Sequence, residues 1–347
     1  MSRRKRTGGL MGFLLVVVAA LVVVAGGSAS AQKVAIVGFA SPEKPNDYGW
    51  NQQGYIGAKK AAKATGATVI AATGIGYENV EPDLRRMAQQ GADLIIAHAS
   101  NFNTQAPRIA QQYKVPVVVW DAKKGTVKKG LVSNVSTAAQ QGAYLAGVLA
   151  AQVTKTGTLG IVVSASDANW FKQSGGFVQG ARSINPKLKF RYARIGEISY
   201  ADAAGGKRIT QQVLAAGADV VFGMGDGASF GMLQAVQTAK PPAGATKVYF
   251  IDVIGDKSKI DKKGVLLSSE LWDFAPLYTQ AIKDVNAGTF GKEYVLGAAN
   301  GLSLLKTNKA PASAWAKVAA AQKKVANGSV KVVVTPTEAA VKKYCKC

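Results

Sequence analysis

Nine residues spread along the chain have side chains able to hold a small ligand. Asp47, Trp50 and Asn51 share one polar and aromatic stretch, and Phe102, Trp170 and Tyr200 each follow an apolar run. Asp226 stands between two glycines, and Asp252 and Asp256 lie further on. Carboxylates accept hydrogen bonds from hydroxyl and amino groups, Asn both donates and accepts, and aromatic rings offer flat faces. Such a set suits a flat, polar molecule. It does not suit covalent catalysis. The single histidine, His98, lies between Ala97 and Ala99, where a local hydrogen bond is its ordinary role, and no Ser-His pair can be assembled. Cys345 and Cys347 sit at the extreme end, and two thiols alone do not make a metal site, so no metal or cofactor is expected. Gly223-Met224-Gly225-Asp226-Gly227 lacks the Lys-Ser/Thr of a phosphate-cradling loop, and it comes too late in the chain for a dinucleotide fingerprint. The alternative is a hydrolase built on Asp47 and Asp226, since two carboxylates suffice for glycosidic cleavage.

These residues need a scaffold. From Lys33 onward, apolar runs at 34–39, 68–72, 94–97 and 115–120 read as buried strands, with helical patterns at 57–64 and 83–90 between them. The second half repeats the plan with strands near 158–163, 190–195, 220–224 and 248–253. Gly91-Ala92-Asp93 leads into one strand and Gly217-Ala218-Asp219 into its counterpart, while Trp50 and Trp170 each precede a Gly-containing helix start. This alternation predicts an α/β chain of two Rossmann-like lobes, each with a parallel sheet. Ligands in such sheets sit beyond the C-terminal strand ends, where the polar and aromatic residues above fall. Two facing lobes then predict a cleft between them. Each residue also has a purely structural role open to it: Asp47 before Gly49 could cap a turn, Trp50 could anchor packing, and Asp226 could serve backbone geometry.

The ends add a destination. Arg3, Arg4, Lys5 and Arg6, an apolar run at 10–25 and Ala29-Ser30-Ala31 make the three parts of a secretory signal, with cleavage expected after Ala31. An uncleaved anchor is the other reading. The 347 residues are 48% hydrophobic, enough for two domains of ordinary size. The formal charge is +23, or +19 without the signal. With no nucleic-acid reader motif, this excess predicts contact with an anionic cell envelope and not with nucleic acid. One residue between Cys345 and Cys347 argues against a disulfide, and 331–347 reads as a frayed basic tail.

Several ordered motifs resemble the basic membrane protein family of ABC-transporter substrate-binding proteins. Asp47-Tyr48-Gly49-Trp50-Asn51 followed by Gly57 is similar to that family's opening motif, and Gln141-Gly142-Ala143-Tyr144-Leu145-Ala146-Gly147 to its helix after the first crossover. Gly175-Gly176-Phe177 through Asn185-Pro186, and Tyr200-Ala201-Asp202 through Lys207 to Gly217-Ala218-Asp219-Val220, resemble two further segments. The resemblance runs from Lys33 to about Lys306. It implies a type-I periplasmic-binding-protein fold with hinge crossings near 133–138, 256–267 and 296–303. Lobe one would then comprise 32–134 plus about 268–296, and lobe two 135–267 plus about 297–330. It also implies an exported protein, periplasmic, at the cell surface or secreted, that works with ABC permease and ATPase subunits. Its ligand would be a purine nucleoside, or a related small polar solute, stacked on Trp50 and on Trp170 or Tyr200, with Phe102 nearby. Asp47 and Asn51 would meet the base, and Asp226 with Asp252 or Asp256 the ribose. The chain departs from the family pattern in three ways. No cysteine marks the signal cleavage site, Ile251-Asp252-Val253-Ile254-Gly255-Asp256 replaces the family's Gly-Val-Asp, and Trp50 replaces a Phe.

Overall fold

In the computed structural model, which describes residues 33–347, the alternating pattern becomes two sheets. The expected signal segment, 1–31, lies outside the described residues. The first half runs β1 (Ile36–Ser41), α1 (Trp50–Thr65), β2 (Thr68–Thr73), α2 (Glu81–Gln89), β3 (Leu94–Ala97), α3 (Ala106–Tyr113), β4 (Val117–Trp120) and β5 (Val132–Thr137). The second half runs α4 (Ala139–Val153), β6 (Thr158–Val163), α5 (Ala168–Ile184), β7 (Lys189–Arg194), α6 (Ala203–Ala215), β8 (Val220–Met224), α7 (Ala228–Thr238), β9 (Tyr249–Ile254) and β10 (Leu266–Trp272). The chain ends with α8 (Ala275–Asn286), β11 (Glu293–Leu296), β12 (Leu302–Leu304), α9 (Ala312–Ala326) and α10 (Glu338–Cys345).

One sheet has the order β11-β5-β4-β3-β1-β2 and the other β12-β10-β9-β8-β6-β7. Among the described strands, every pairing is parallel except that of β12 with β10. Every residue of β3, β4, β6 and β8 is buried, as strands covered by helices on both faces must be. The result is two Rossmann-like lobes, both contained in the unit Gln32–Cys347.

Among the described residues, the chain passes between the sheets three times: at Ala138 after β5, at 273–274 after β10, and at 297–301 between β11 and β12. The second passage differs from the expected 256–267. Residues 266–271 pair in parallel with β9, from Leu266 opposite Phe250 to Leu271 opposite Ile254, so 268–272 belong to the second sheet. Only α8 and β11 return to lobe one, with α8 packing on α1 and β11 pairing with β5.

Helices α4 and α5 pack closely in lobe two because glycines leave room for backbone contact. A Cβ at Gly147 would lie 2.0 Å from the Phe177 carbonyl oxygen, and one at Gly180 would lie 1.9 Å from that of Tyr144. The glycine motifs of these two segments therefore belong to packing. The C-terminus is also folded, contrary to the frayed tail expected. Thr337 caps α10 by accepting from the Ala340 N–H, and Val341 and Cys345 are buried. Cys345 and Cys347 form a disulfide, because the left-handed turn at Lys346 brings their Cα atoms to 5.3 Å.

Candidate functional site

The β1–α1 and β3–α3 loops leave the first sheet on either side of its change of direction between β1 and β3. The β6–α5 and β8–α7 loops do the same in the second sheet. Open α/β sheets form their ligand crevices at such points. Here the two crevices face each other around a cavity of about 90 Å³. Lobe one contributes Pro42, Trp50, Tyr77 and Ala99-Ser100-Asn101, and lobe two contributes Asp167, Asn169, Trp170, Tyr200 and Asp226. Ile254 and Trp272, at the ends of β9 and β10, complete the lining.

Trp50 opens α1 and is fixed from behind. Its indole stacks on the His98 ring at 4.1 Å and 13°, and its Nε1 donates to the His98 carbonyl at 3.0 Å. Trp120 and Phe274 meet it edge-on. His98 is fully buried, with Nε2 donating to the Trp50 carbonyl at 2.9 Å and Nδ1 accepting from the Tyr278 hydroxyl at 2.6 Å. Burial lowers its pKa to about 3, so the ring is neutral and positions Trp50. Gly54 makes this possible, since a Cβ there would lie 2.2 Å from His98 Nε2.

Asp226 is buried and reaches across the cleft, accepting from the Trp50 backbone N–H at 3.4 Å. That N–H belongs to the first turn of α1, where a helix favours negative charge. The carboxyl nevertheless titrates well above the usual carboxylate range. Burial is the main cause, followed by the negative charges of Asp47 and Glu43, and Lys257 and the Trp50 N–H offset it in part. Around it, Tyr200 donates to Asp167 at 2.8 Å and Tyr77 donates to Glu43 at 2.9 Å. Burial first, then these carboxylates, raise both phenols above their ordinary range. Trp170 is held by its Nε1 donating to Ser164 Oγ at 3.1 Å, with its ring 6.5 Å from that of Tyr200. Asn169 accepts from Thr137 Oγ1 at 2.7 Å and donates to Asp121 Oδ2 at 3.2 Å, tying α5 to lobe one.

Trp50, Trp170, Tyr200 and Asp226 thus converge on one cavity. The other five residues singled out in the sequence do not line it. Asp47 caps α1, with Oδ1 accepting from the Gly49 and Gln52 N–H groups and Oδ2 from the Asn51 N–H and Nδ2. Asn51 is fully buried and also accepts from the Glu43 N–H, so this pair shapes the loop behind Trp50. Those four bonds leave Asp47 poorly placed to activate a water, which argues against a carboxylate pair with Asp226. Phe102 is fully buried in the core of lobe one. Asp252 is buried as the counter-ion of Lys257 at 3.0 Å and accepts from Ser229 Oγ at 2.8 Å. Lys257 also donates to the Tyr48 carbonyl of lobe one at 3.1 Å, so this ion pair links the lobes. Asp256 is exposed and accepts from the Ser258 N–H at 2.7 Å.

Tyr77, Asn101, Asp167, Asn169 and Trp272 line the cavity without being among the nine residues singled out in the sequence. Asp167 and Asn169 carried a signal, since they share a strand end with Trp170, and Asn101 follows β3 in the same way. Tyr77 and Trp272 had none. The first comes from the β2–α2 loop, and the second ends a strand whose sheet membership was misread.

Residues 34–334 match the Bmp family, described as PnrA-like ABC transporter substrate-binding proteins. Among curated relatives, the transcriptional activator protein Med of Bacillus subtilis is 23% identical over 68% of this chain and 71% of its own length. A purine-binding protein of Brucella abortus is 27% identical over 47% of each chain. The ABC transporter nucleoside-binding protein BmpA of Lactococcus lactis is 33% identical over 38% of this chain and 37% of its own. The chain therefore spans less than half the length of the last two. An ABC transporter solute-binding protein of Conexibacter woesei shares the fold, with a TM-score of 0.73 over 87% of this chain and 99% of that one, at 22% identity. With the matched region covering nearly all the described residues, the chain belongs to the Bmp family of PnrA-like ABC transporter substrate-binding proteins.

Proposed function

We propose that this protein is the exported capture component of an ABC importer, binding a purine nucleoside or a related small polar solute between its lobes and releasing it unchanged to the permease. The single observation that carries the reading is the cavity wall itself. Trp50 and Tyr77 of lobe one face Trp170 and Tyr200 of lobe two, with Asp226 and Asp167 among them. Stacking a base on an aromatic ring contributes about 1–3 kcal/mol, and a hydrogen bond to a charged group about 1.5–3 kcal/mol. Two stacks and one or two such bonds approach the roughly −8 kcal/mol of micromolar binding. The purine-binding and nucleoside-binding names of two relatives point the same way.

The cavity of about 90 Å³ is smaller than ordinary small-molecule pockets of roughly 300–1,000 Å³. Uptake therefore needs the lobes to part at the three chain crossings, and the Trp50–Asp226, Lys257–Tyr48 and Asn169–Asp121 contacts are among those that opening would break. A thermal-shift panel of nucleosides, bases, sugars and amino acids tests the ligand class. A true ligand at a hundred times its dissociation constant stabilises the fold by about 2.7 kcal/mol, and mass spectrometry shows whether it is recovered intact. Stabilisation by sugars or amino acids and by no purine would overturn the nucleoside reading, and turnover would overturn the binding-only reading.

A further inference from the structure

We infer that the C-terminal segment of lobe two seats the protein on an anionic phospholipid surface. Residues 306–347 contain nine lysines and one acid, Glu338, a net +8 of the +19 carried by 32–347. Less than a seventh of that chain thus holds more than two-fifths of its net charge. The segment is one layer of the fold. Helix α9 packs on α4 and α10 on α5, and α4 and α5 pack on each other, so both C-terminal helices cover the same side of lobe two. Lys317, Lys323, Lys324, Lys331, Lys342, Lys343 and Lys346 are all exposed there.

A second, independent feature lies within this lysine field. Val333, Val334 and Tyr344 are exposed large hydrophobic side chains at 55%, 47% and 36%. They line one surface depression of about 700 Å³ together with Tyr144, Arg182 and Lys343. Exposed apolar groups bordered by cations are what a polar–apolar interface with negative headgroups accommodates, as the apolar tips enter the acyl boundary and the lysines meet phosphate. Lysines alone would fit any polyanion. The apolar tips favour lipid. The face also leaves the ligand cleft free, because Arg182 lies about 18 Å along α5 from Trp170.

The test is co-sedimentation of the chain starting at Gln32, which contains both sheets, with vesicles of phosphatidylcholine alone or mixed with phosphatidylglycerol. One variant carries Lys323→Glu, Lys324→Glu, Lys331→Glu and Lys343→Glu. A control carries the same charge change on lobe one, at the exposed Lys60, Lys63, Lys123 and Lys124. A third replaces Val333, Val334 and Tyr344 with serine. Lysines near an anionic membrane contribute about 1 kcal/mol each, so the first variant should lose at least a hundredfold in partitioning and the control far less. The serine variant should lose the binding that survives in 0.5 M salt, on the order of tenfold. Circular dichroism and ligand-induced thermal shift should be unchanged in all three. Equal binding to both vesicle types, equal losses in the two charge variants, or retention on soluble polyglutamate with none on vesicles would each overturn the assignment.

Discussion

Asp226→Asn isolates the group on which the two lobes converge. In the wild type this carboxyl is buried, accepts one hydrogen bond from the Trp50 N–H, and faces the charges of Asp47 and Glu43. The substitution keeps the shape and one acceptor but removes the capacity to ionise. Two opposite effects follow. A ligand hydroxyl or amino group held by the carboxylate loses a charge-assisted bond of about 1.5–3 kcal/mol, roughly a tenfold to 150-fold drop in affinity. The ligand-free protein becomes more stable at neutral pH. The folded-state pKa of Asp226 is raised above its unfolded value, so the native state holds a proton that the unfolded chain has released. Stability is then fully present below about pH 4 and falls as pH rises from there through the folded pKa. Asparagine cannot lose that proton, so the variant's stability should be flatter with pH, and each kcal/mol gained should raise the melting midpoint by about 2 °C. Calorimetric titration with the nucleoside that gives the largest thermal shift, together with melts from pH 4 to 8, reads both effects. Unchanged affinity with an unchanged pH profile would refute the placement of Asp226 in the site.

Two further substitutions probe the framework. Lys257→Met should cost about 3–5 kcal/mol in urea denaturation, because it strands the fully buried Asp252 and removes the donor to the Tyr48 carbonyl, and adding Asp252→Asn should recover most of that loss. A cost below 1 kcal/mol would show that the ion pair does not link the lobes. Glu270 is fully buried and accepts from Trp272 Nε1 at 2.9 Å, and burial, partly offset by that bond, raises its pKa from 4.5 to about 8. Its contribution is fully present below pH 4.5 and is lost as pH rises to about 8, so Glu270→Gln should remove about 3–5 kcal/mol of pH dependence from that window. Identical pH profiles for the two proteins would contradict the buried carboxyl.

The fold was legible because its signals are periodic. Fully apolar runs such as Leu94-Ile95-Ile96-Ala97 admit few alternatives once helical stretches separate them, and the repeated Gly-Ala-Asp lead-ins marked two similar lobes. Sheet membership was less legible. Leu266 to Trp272 is as apolar as a strand of either lobe, and only pairing with β9 decides between them. Position after a strand end pointed to Trp50, Trp170, Tyr200 and Asp226, which line the cavity. It could not tell a carboxylate facing the cleft from one facing its own loop. Asp47 and Asp252 look equivalent to Asp226 in sequence, yet one caps a helix and the other neutralises Lys257. The hydrogen-bond partners that separate these roles lie up to 209 residues away, as Lys257 does from Tyr48. The one-residue spacing of Cys345 and Cys347 argued against a disulfide because the turn that permits it depends on the backbone of the single residue Lys346.

Hydrogen–deuterium exchange with and without a purine nucleoside tests the central claim most directly, since it reports which parts of the chain the ligand shields. Binding between the lobes should slow exchange together in peptides covering Trp50, Ser100-Asn101, Asp167 to Trp170 and Asp226, with little change around Arg182 and 333–344. Protection confined to one lobe, or protection at the C-terminal face with none at these four segments, would contradict a ligand held jointly by both halves of the chain.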